Sequence, residues 1–392
     1  MNEDVRFIAP QAQHLDQLAS LLAESFPDID AQPRRYFQKY YLTNSAYSLQ
    51  ASRIALVDST IVAHCGVFSF YVRIGKTRLK IGGVGGVFTR SGWQKQGISR
   101  RLLEEVLISL EKNRCSVTLL SAIETFYDQF GYVPAWPDTQ VHIKASELSS
   151  LVLPQSRRSF KPMCQEFLTT LYNRESKNHV FTAVRPTYTK RIKTDSGAKG
   201  CFWKRGYVIG RAVKQTWHVQ EVVGDVGQSL AVVAAMAKQH RCPAVVFRGL
   251  TGSHPLAIEL KKYDTRFDTH FRKSGGAMIR LLSLSLFLKA MAKELTARME
   301  RSQLTWRGTL DLTFGTQRAG LRINGCQVEV APPGKGAHSI KGNNEMVQLL
   351  IGSIGAEELL ARKVISIAGD GLTLASTLFP ACSPKLARGD FF

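Results

Sequence analysis

The stretch 84–106, VGGVFTRSGWQKQGISRRLLEEV, constrains this chain more than any other. It reads as a strand, a tight cationic turn and a helix whose first amides have no partner of their own. Val84 and Val87 stand among glycines that let another molecule approach the backbone. After the turn Gln94-Lys95-Gln96-Gly97-Ile98-Ser99, the residues Leu102, Leu103, Val106 and Leu107 keep helical spacing. Free N–H groups at a helix N-terminus, with the positive end of the helix dipole, make an anion site. Lys95, Arg100 and Arg101 add charge there, and the combination suits a pyrophosphate.

A chain of 392 residues exceeds what one hydrophobic core serves, and at ~100–150 residues per domain it predicts two or three domains. The formal net charge of +21 and a pI near 9.8 attract polyanions, whether nucleic acid, anionic lipid or an anionic cosubstrate. The cations are scattered, without a long basic arm or a nucleic-acid motif, which reads as nonspecific attraction. Seven widely spaced cysteines, odd in number and including Cys65 and Cys115 in apolar runs, read as reduced core thiols. No His/Cys pair has metal-ligand spacing, and His64 and His142 in strand-like runs read as core residues, so no metal is predicted. The N-terminus MNEDVRFIAP is acidic and lacks an apolar leader core, and no segment reaches ~18–20 uncharged apolar residues. A soluble, cytoplasmic protein is expected.

In chain order, a short strand at 5–9 precedes an amphipathic helix marked by Leu15, Leu18, Leu21, Leu22 and Phe26, and a second helical patch covers 34–41. Strands at 53–58, 61–73 and 77–87 form a meander. The strand-turn-helix follows, then a strand at 116–121, a helix near 124–130 and a strand at 139–144, which together make an α+β domain ending near residue 150. Within 121–132 an aromatic cluster of Phe126, Tyr127, Phe130 and Tyr132 reads either as packed core or as the setting for a working phenol. Residues 146–160 are rich in serine and read as a linker. Beyond it a helix at 168–172, strands at 206–210 and 218–223, a helix at 230–240 and a strand at 244–247 loosely copy the first domain's order. The turn between strand and helix is there Gly224-Asp225-Val226-Gly227-Gln228, with no basic residue and an aspartate that repels phosphate. From Leu284 the spacing of Phe287, Leu288, Met291, Leu295 and Met299 predicts an amphipathic helix, with Lys289, Lys293, Glu294 and Arg298 on a solvated face. Strands at 306–314, 319–323 and 327–331 and helices at 344–351 and 357–362 complete the pattern. Gly334-Lys335-Gly336 lacks P-loop spacing and reads as a hairpin turn.

The order strand, (Gln/Arg)-x-x-Gly-x-(Gly/Ala), helix resembles the acetyl-CoA-binding motif of the GNAT acyltransferases, with Gln94 and Gly97 in the diagnostic places and Ser99 departing from the usual glycine or alanine. Phe130-Gly131-Tyr132 resembles the family's signature at the end of a short helix, where a tyrosine faces the acetyl-CoA sulfur; Tyr127 matches that position. Over nearly the whole chain, three units in this order resemble the Eis family of bacterial N-acetyltransferases. That implies an α+β fold with tandem GNAT-type domains and mixed sheets, plus a C-terminal sterol-carrier-protein-like α+β domain. The expected divisions are a catalytic domain at 1–150, a degenerate GNAT-like domain at 151–283, inert toward acetyl-CoA, and the third domain at 284–392.

By the same resemblance acetyl-CoA, the cosubstrate, lies against the backbone of Val87, Phe88 and Thr89, with its pyrophosphate on Gln94, Lys95, Gln96, Gly97, Ile98, Ser99 and Arg100. The implied catalytic groups are the Tyr127 phenol as general acid and the terminal carboxylate of Phe392 as general base. Their chemistry is coherent, because a phenol of ordinary pKa ~10 can protonate a departing thiolate of pKa ~8.5, and an ammonium must lose a proton before it attacks. Known members acetylate aminoglycosides and other amines and assemble as hexamers, so a small-molecule amine and a homo-oligomer are implied, with no specific nucleic acid and no membrane span. The alternative of a different class is a noncatalytic CoA- or lipid-binding module, and a weaker one is a nucleic-acid-associated protein drawn by the net charge.

Overall fold

Apolar residues in the meander alternate or run together because its middle strands are covered on both faces, and glycine and polar pairs turn it between strands. In the computed structural model, which describes residues 5–121, 123, 125–159, 165–185, 198–250, 252, 254–272 and 274–390, these segments are β1 (Arg6–Ile8), β2 (Arg53–Val57), β3 (Thr60–Ile74) and β4 (Thr77–Thr89). They pair antiparallel in that order, and β4 then pairs parallel with β5 (Val117–Ser121). The crossover between β4 and β5 is the predicted helix, Ile98–Lys112. Its face of Leu102, Leu103, Val106, Leu107 and Leu110 is buried against Ala55, Val62 and Val67. At ~1.5–3 kcal/mol per buried leucine-sized side chain, this face is a main source of the domain's stability.

The chain divides into two compact units. One holds 1–135, 273–382 and 392, and the other holds 136–272 and 383–391. In the first unit the sheet continues beyond β5 with Ala277–Leu281 and then Val133–Pro134, both antiparallel. The strand at 277–281 was not foreseen. A second, five-stranded sheet of this unit follows the helix Leu284–Ser302, in the order Gln327–Ala331, Gln317–Gly325, Trp306–Phe314, His338–Gly342, Ile365–Ala368. Two expectations fail here. Gly334-Lys335-Gly336 is not a hairpin turn, because the strands on either side of it are not neighbours: His338–Gly342 runs parallel to Trp306–Phe314. The loop also cannot cradle phosphate, since the amides of Gly334 and Gly336 donate to the Asp311 carboxylate at 2.5 and 2.7 Å. Nor are Glu294 and Arg298 on a solvated face. Both are buried, Glu294 accepting from the Lys76 amide (2.8 Å) and from Arg298 (3.0 Å) and Arg301 (2.8 Å).

The second unit carries its own sheet, in the order Thr265–His270, Asp138–Lys144, Ala244–Arg248, Thr216–Val223, Gly206–Val213, Lys199–Trp203, Arg158–Ser159. Its single parallel pairing, Thr216–Val223 with Ala244–Arg248, is bridged by the helix Val226–Gln239, which repeats the β4-helix-β5 crossover of the first unit. This is a tandem arrangement of GNAT-type sheets in an α+β chain. The strand expected at 139–144 in the first domain belongs to this second sheet, where Asp138–Lys144 pairs on both sides. Part of the expected linker is ordered as well: Ala145–Leu148 forms a helical turn and Leu148 is buried in this unit's core. Asp225 caps its helix, the carboxylate accepting from the Gln228 amide at 2.9 Å, so that helix start already holds its own anion. Among the described residues no helix is long and apolar enough to cross a membrane.

Candidate active site

The parallel ladder between β4 and β5 runs only from Ile81↔Val117 to Val84↔Leu120. From Gly85 to Thr89, β4 is paired with β3 on one side and, among the described residues, with no strand on the other. The same segment carries a bulge. Gly66 pairs with Gly85 and His64 with Phe88, so Gly86 and Val87 together oppose Cys65 alone. Gly86 adopts φ +59°, and a Cβ there would collide with the Tyr41 hydroxyl.

The bulge is held by groups whose polar roles the sequence reading missed. Tyr41 O–H donates to Gly85 O at 2.9 Å, and His64 Nδ1 lies 2.7 Å from Gly86 O, with His64 Nε2 3.0 Å from the Tyr47 hydroxyl. A carbonyl can only accept, so Nδ1 carries the proton and Nε2 accepts from Tyr47. Burial lowers the His64 pKa to about 4, opposed only by that carbonyl, and the ring is neutral at pH 7. His64 is a core residue, as expected from its apolar strand. Its hydrogen bonds depend on pairings across three segments that no local pattern displays.

Beyond β4 the chain turns through Ser91–Trp93 and enters the helix at Gly97, which has φ +78° and caps it without any side-chain hydrogen bond. No atom lies within 4 Å of where a Gly97 Cβ would stand, so the position is open as well as left-handed. The amides of Ile98, Ser99 and Arg100 begin the helix there. Lys95, also left-handed at φ +61°, is exposed beside them. Other residues of the loop brace it. Gln94 Nε2 donates to Thr89 O at 3.1 Å, Gln96 Nε2 to Gly92 O at 3.2 Å, and the hydroxyls of Thr89 and Ser99 lie 2.6 Å apart. Ser99 thus ties the first helical turn to the end of β4. Arg101 lies over the Phe7 ring at 4.3 Å. Arg100 bonds Gln129 Oε1 and lies over the Phe130 ring, which joins the loop helix to the Tyr127 segment.

The helix expected near 124–130 is only the single turn Asp128–Phe130, with Tyr127 at its start and Gly131 left-handed at its end. Ala122 and Glu124 lie outside the described residues. Tyr127 is 3% exposed, stacked edge-on against Phe126 and Tyr132. Burial, with the Cys65 thiol beside it, raises its phenol above the ordinary range, so it keeps its proton at neutral pH. Tyr132 is engaged differently, its hydroxyl 3.1 Å from that of Thr118. Val84, Ile98 and Tyr127 share one buried cluster, so bulged strand, open loop and phenol are brought together. Cys65 and Cys115 are fully buried, and burial pushes the Cys65 thiol up to about 12, far from a neutral-pH nucleophile. Phe392 lies outside the described residues. The chemistry open to such a site is to hold a phosphorylated acyl carrier on amides and strand edge and to give a proton at its reacting end.

Residues 6–135 match the family described as Acetyltransferase (GNAT) domain. No curated protein matches the sequence. Similar solved structures span both chains almost completely. A GCN5-related N-acetyltransferase from Kribbella flavida has a TM-score of 0.76 at 16% identity, covering 99% of this chain and 98% of that one. A conserved protein of unknown function from Enterococcus faecalis V583, described as a probable N-acyltransferase, has a TM-score of 0.76 at 17% identity over 99% and 100%. Eis1 from Mycobacterium abscessus has a TM-score of 0.69 at 15% identity over 99% and 100%. The fold is therefore shared along the whole length, and residues 6–135 constitute an acetyltransferase domain of the GNAT type.

Proposed function

We propose that the protein transfers the acetyl group of acetyl-CoA to a primary amine by direct attack, with no acyl-enzyme. One observation carries the reading: an open helix N-terminus capped by left-handed Gly97 adjoins the β4 segment Gly85–Thr89, which among the described residues has a strand partner on one side alone, in one cluster with Tyr127. The pyrophosphate would rest on the amides after Gly97 with Lys95 beside it, and the pantetheine arm along Val87, Phe88 and Thr89. As the amine nitrogen bonds the carbonyl carbon and the C–S bond breaks, Tyr127 gives its proton to the sulfur. The carboxylate of Phe392 takes the proton that the ammonium must lose. Buried Cys65 and Cys115 offer no competing nucleophile. Aminoglycosides, other amine-bearing small molecules and lysine side chains are the acceptor classes, and a homo-oligomer, hexameric in the family the sequence resembles, belongs to the same reading. In this reading the residues up to 135, with the strand Ala277–Leu281, form the catalytic domain, 136–272 a GNAT-like copy that does not take acetyl-CoA, and the segment from Leu284 to 382 the sterol-carrier-like domain.

Thiol release from acetyl-CoA, followed across aminoglycosides, polyamines and lysine peptides on protein with an untagged C-terminus, tests this. Turnover with one class, falling ~10²–10⁴-fold in Tyr127→Phe, is expected. Full turnover in Tyr127→Phe ends its role as acid. Acetyl-CoA binding without thiol release against any amine would favour a noncatalytic binding module instead.

A further inference from the structure

Tyr127 sits on a segment with little regular structure of its own, at the start of the single turn Asp128–Phe130. A phenol that must meet a reacting atom within hydrogen-bond reach needs a fixed backbone, since a misplacement of about 1 Å can cost on the order of 10²-fold in rate. Local bonds supply part of this. The Tyr127 carbonyl accepts from the Phe130 amide at 3.0 Å and the Tyr132 amide at 3.4 Å, and the Gly131 amide donates to Asp128 O at 2.9 Å. These bonds tie Tyr127 to residues 130–132, which must themselves be held. Arg280 stands 150 residues from Phe130 in the chain and directly against it in the fold, its Nη1 donating to Phe130 O. A guanidinium suits a carbonyl at the end of a helical turn, and a charged donor makes a bond roughly twice as strong as a neutral one.

The strand that carries Arg280, Ala277–Leu281, makes further ties to the same segment. Ile279 pairs with Val133 and Met278 with Pro134, and Ala277 O receives the Ala135 amide at 2.8 Å. On its other side Arg280 pairs with Thr118, whose hydroxyl lies 3.1 Å from that of Tyr132, and Gln348 Nε2 donates to Pro134 O at 2.8 Å. All these residues belong to the first compact unit. The ties at 133–135 build the sheet. The Arg280 bond does something else, because its side chain reaches past the ladder to the last residue of the turn. It is also the one charged residue of a strand whose Met278, Ile279 and Leu281 are buried, where half-burying a guanidinium costs desolvation that packing alone does not call for. We propose that Arg280 is a positioning residue for the general acid: by holding the Phe130 carbonyl it fixes the turn that begins at Tyr127, and so sets where the phenol stands without touching substrate. This rests on the reading of Tyr127 as that acid.

Arg280→Met removes the donor and keeps much of the stem, while Arg280→Lys keeps a cationic donor of different shape. Circular dichroism and thermal melts confirm the fold, and if Arg280→Met does not fold, Arg280→Lys carries both readouts. The first readout is thiol release from acetyl-CoA, with each variant studied alone and combined with Tyr127→Phe. In Arg280→Met we expect kcat down about tenfold or more with KM for acetyl-CoA unchanged, and partial recovery in Arg280→Lys. Added to Tyr127→Phe, Arg280→Met should cost nothing further, because the two act through one group. The second readout needs no turnover: a fluorine NMR spectrum of 3-fluorotyrosine at position 127, expected to give one resonance in the otherwise native chain and a displaced or broadened one in Arg280→Met. Wild-type kcat in folded Arg280→Met, or an unchanged fluorine resonance, overturns the positioning role. An equal fall in the Tyr127→Phe background overturns action through Tyr127. Full turnover in Tyr127→Phe removes the acid reading itself, and the fluorine spectrum then decides alone whether Arg280 holds the turn.

Discussion

Gly97 and Gly86 are both left-handed, at φ +78° and +59°, and differ in what surrounds them. Nothing stands near a Cβ at Gly97, whereas one at Gly86 would strike the Tyr41 hydroxyl and come within 3.1 Å of Leu22. Gly97→Ala therefore carries only the backbone penalty, about 1 kcal/mol, and should shift the cap that presents the first amides. A several-fold rise in the KM for acetyl-CoA with kcat little changed is expected from steady-state kinetics. Gly86→Ala adds the displacement of Tyr41 from Gly85 O, and its loss of stability in urea unfolding should exceed that of Gly97→Ala. The first glycine was legible in the sequence because the loop motif is local. The second was not, since its neighbours Tyr41 and Leu22 meet it only after the sheet has formed. Tyr127 lay between these cases, visible as an aromatic on a signature, with its burial unreadable.

The helix Leu284–Ser302 shows the same limit at the scale of an element. Its apolar spacing located it correctly, and Ser283 caps it as the sequence allows, its hydroxyl accepting from the Leu286 amide at 3.3 Å. Its charged face was misread because the β3–β4 hairpin packs on it: the Lys76 amide donates to Glu294, and the Thr77 hydroxyl to Ala290 O at 2.9 Å. Burial by itself would raise the Glu294 carboxyl; the Lys76 amide and the two arginines more than offset it, leaving the group below the usual carboxylate range. A depressed carboxylate contributes stability that is present above its unfolded pKa of ~4.3 and is lost as pH falls through the folded value. Glu294→Leu leaves Arg298, itself buried, without its carboxylate, and should cost about 3–5 kcal/mol. Glu294→Gln keeps the shape and should cost about 1–3 kcal/mol. Urea midpoints at pH 7 check both, and the wild-type advantage over Glu294→Gln should shrink below pH 4.

For the molecule as a whole, two compact units with separate cores predict unfolding that need not be a single transition. Each unit buries a histidine in its neutral form. In the first, burial takes His64 down to about 4; in the second, burial, with Lys385 and His179 nearby, takes His254 down to about 2. A histidine with a lowered folded pKa binds its proton first in the unfolded chain. Stability then falls as pH drops from about 6.5 toward the folded value and levels off below it. For His64 that is about 3 kcal/mol between pH 6.5 and 4. The two rings share no hydrogen-bond partner: His64 serves Gly86 and Tyr47, while His254 accepts from the Leu256 amide at 3.1 Å and caps the helix Pro255–Leu260. Their effects should therefore add. Calorimetry from pH 7 to 4 is expected to show two transitions moving to lower temperature. His64→Gln should flatten the pH dependence of one, and His254→Asn, which preserves a capping acceptor, should reduce that of the other, where His179, lowered by burial to about 4, still titrates. If either substitution alone flattens both transitions, the two units unfold as one cooperative body.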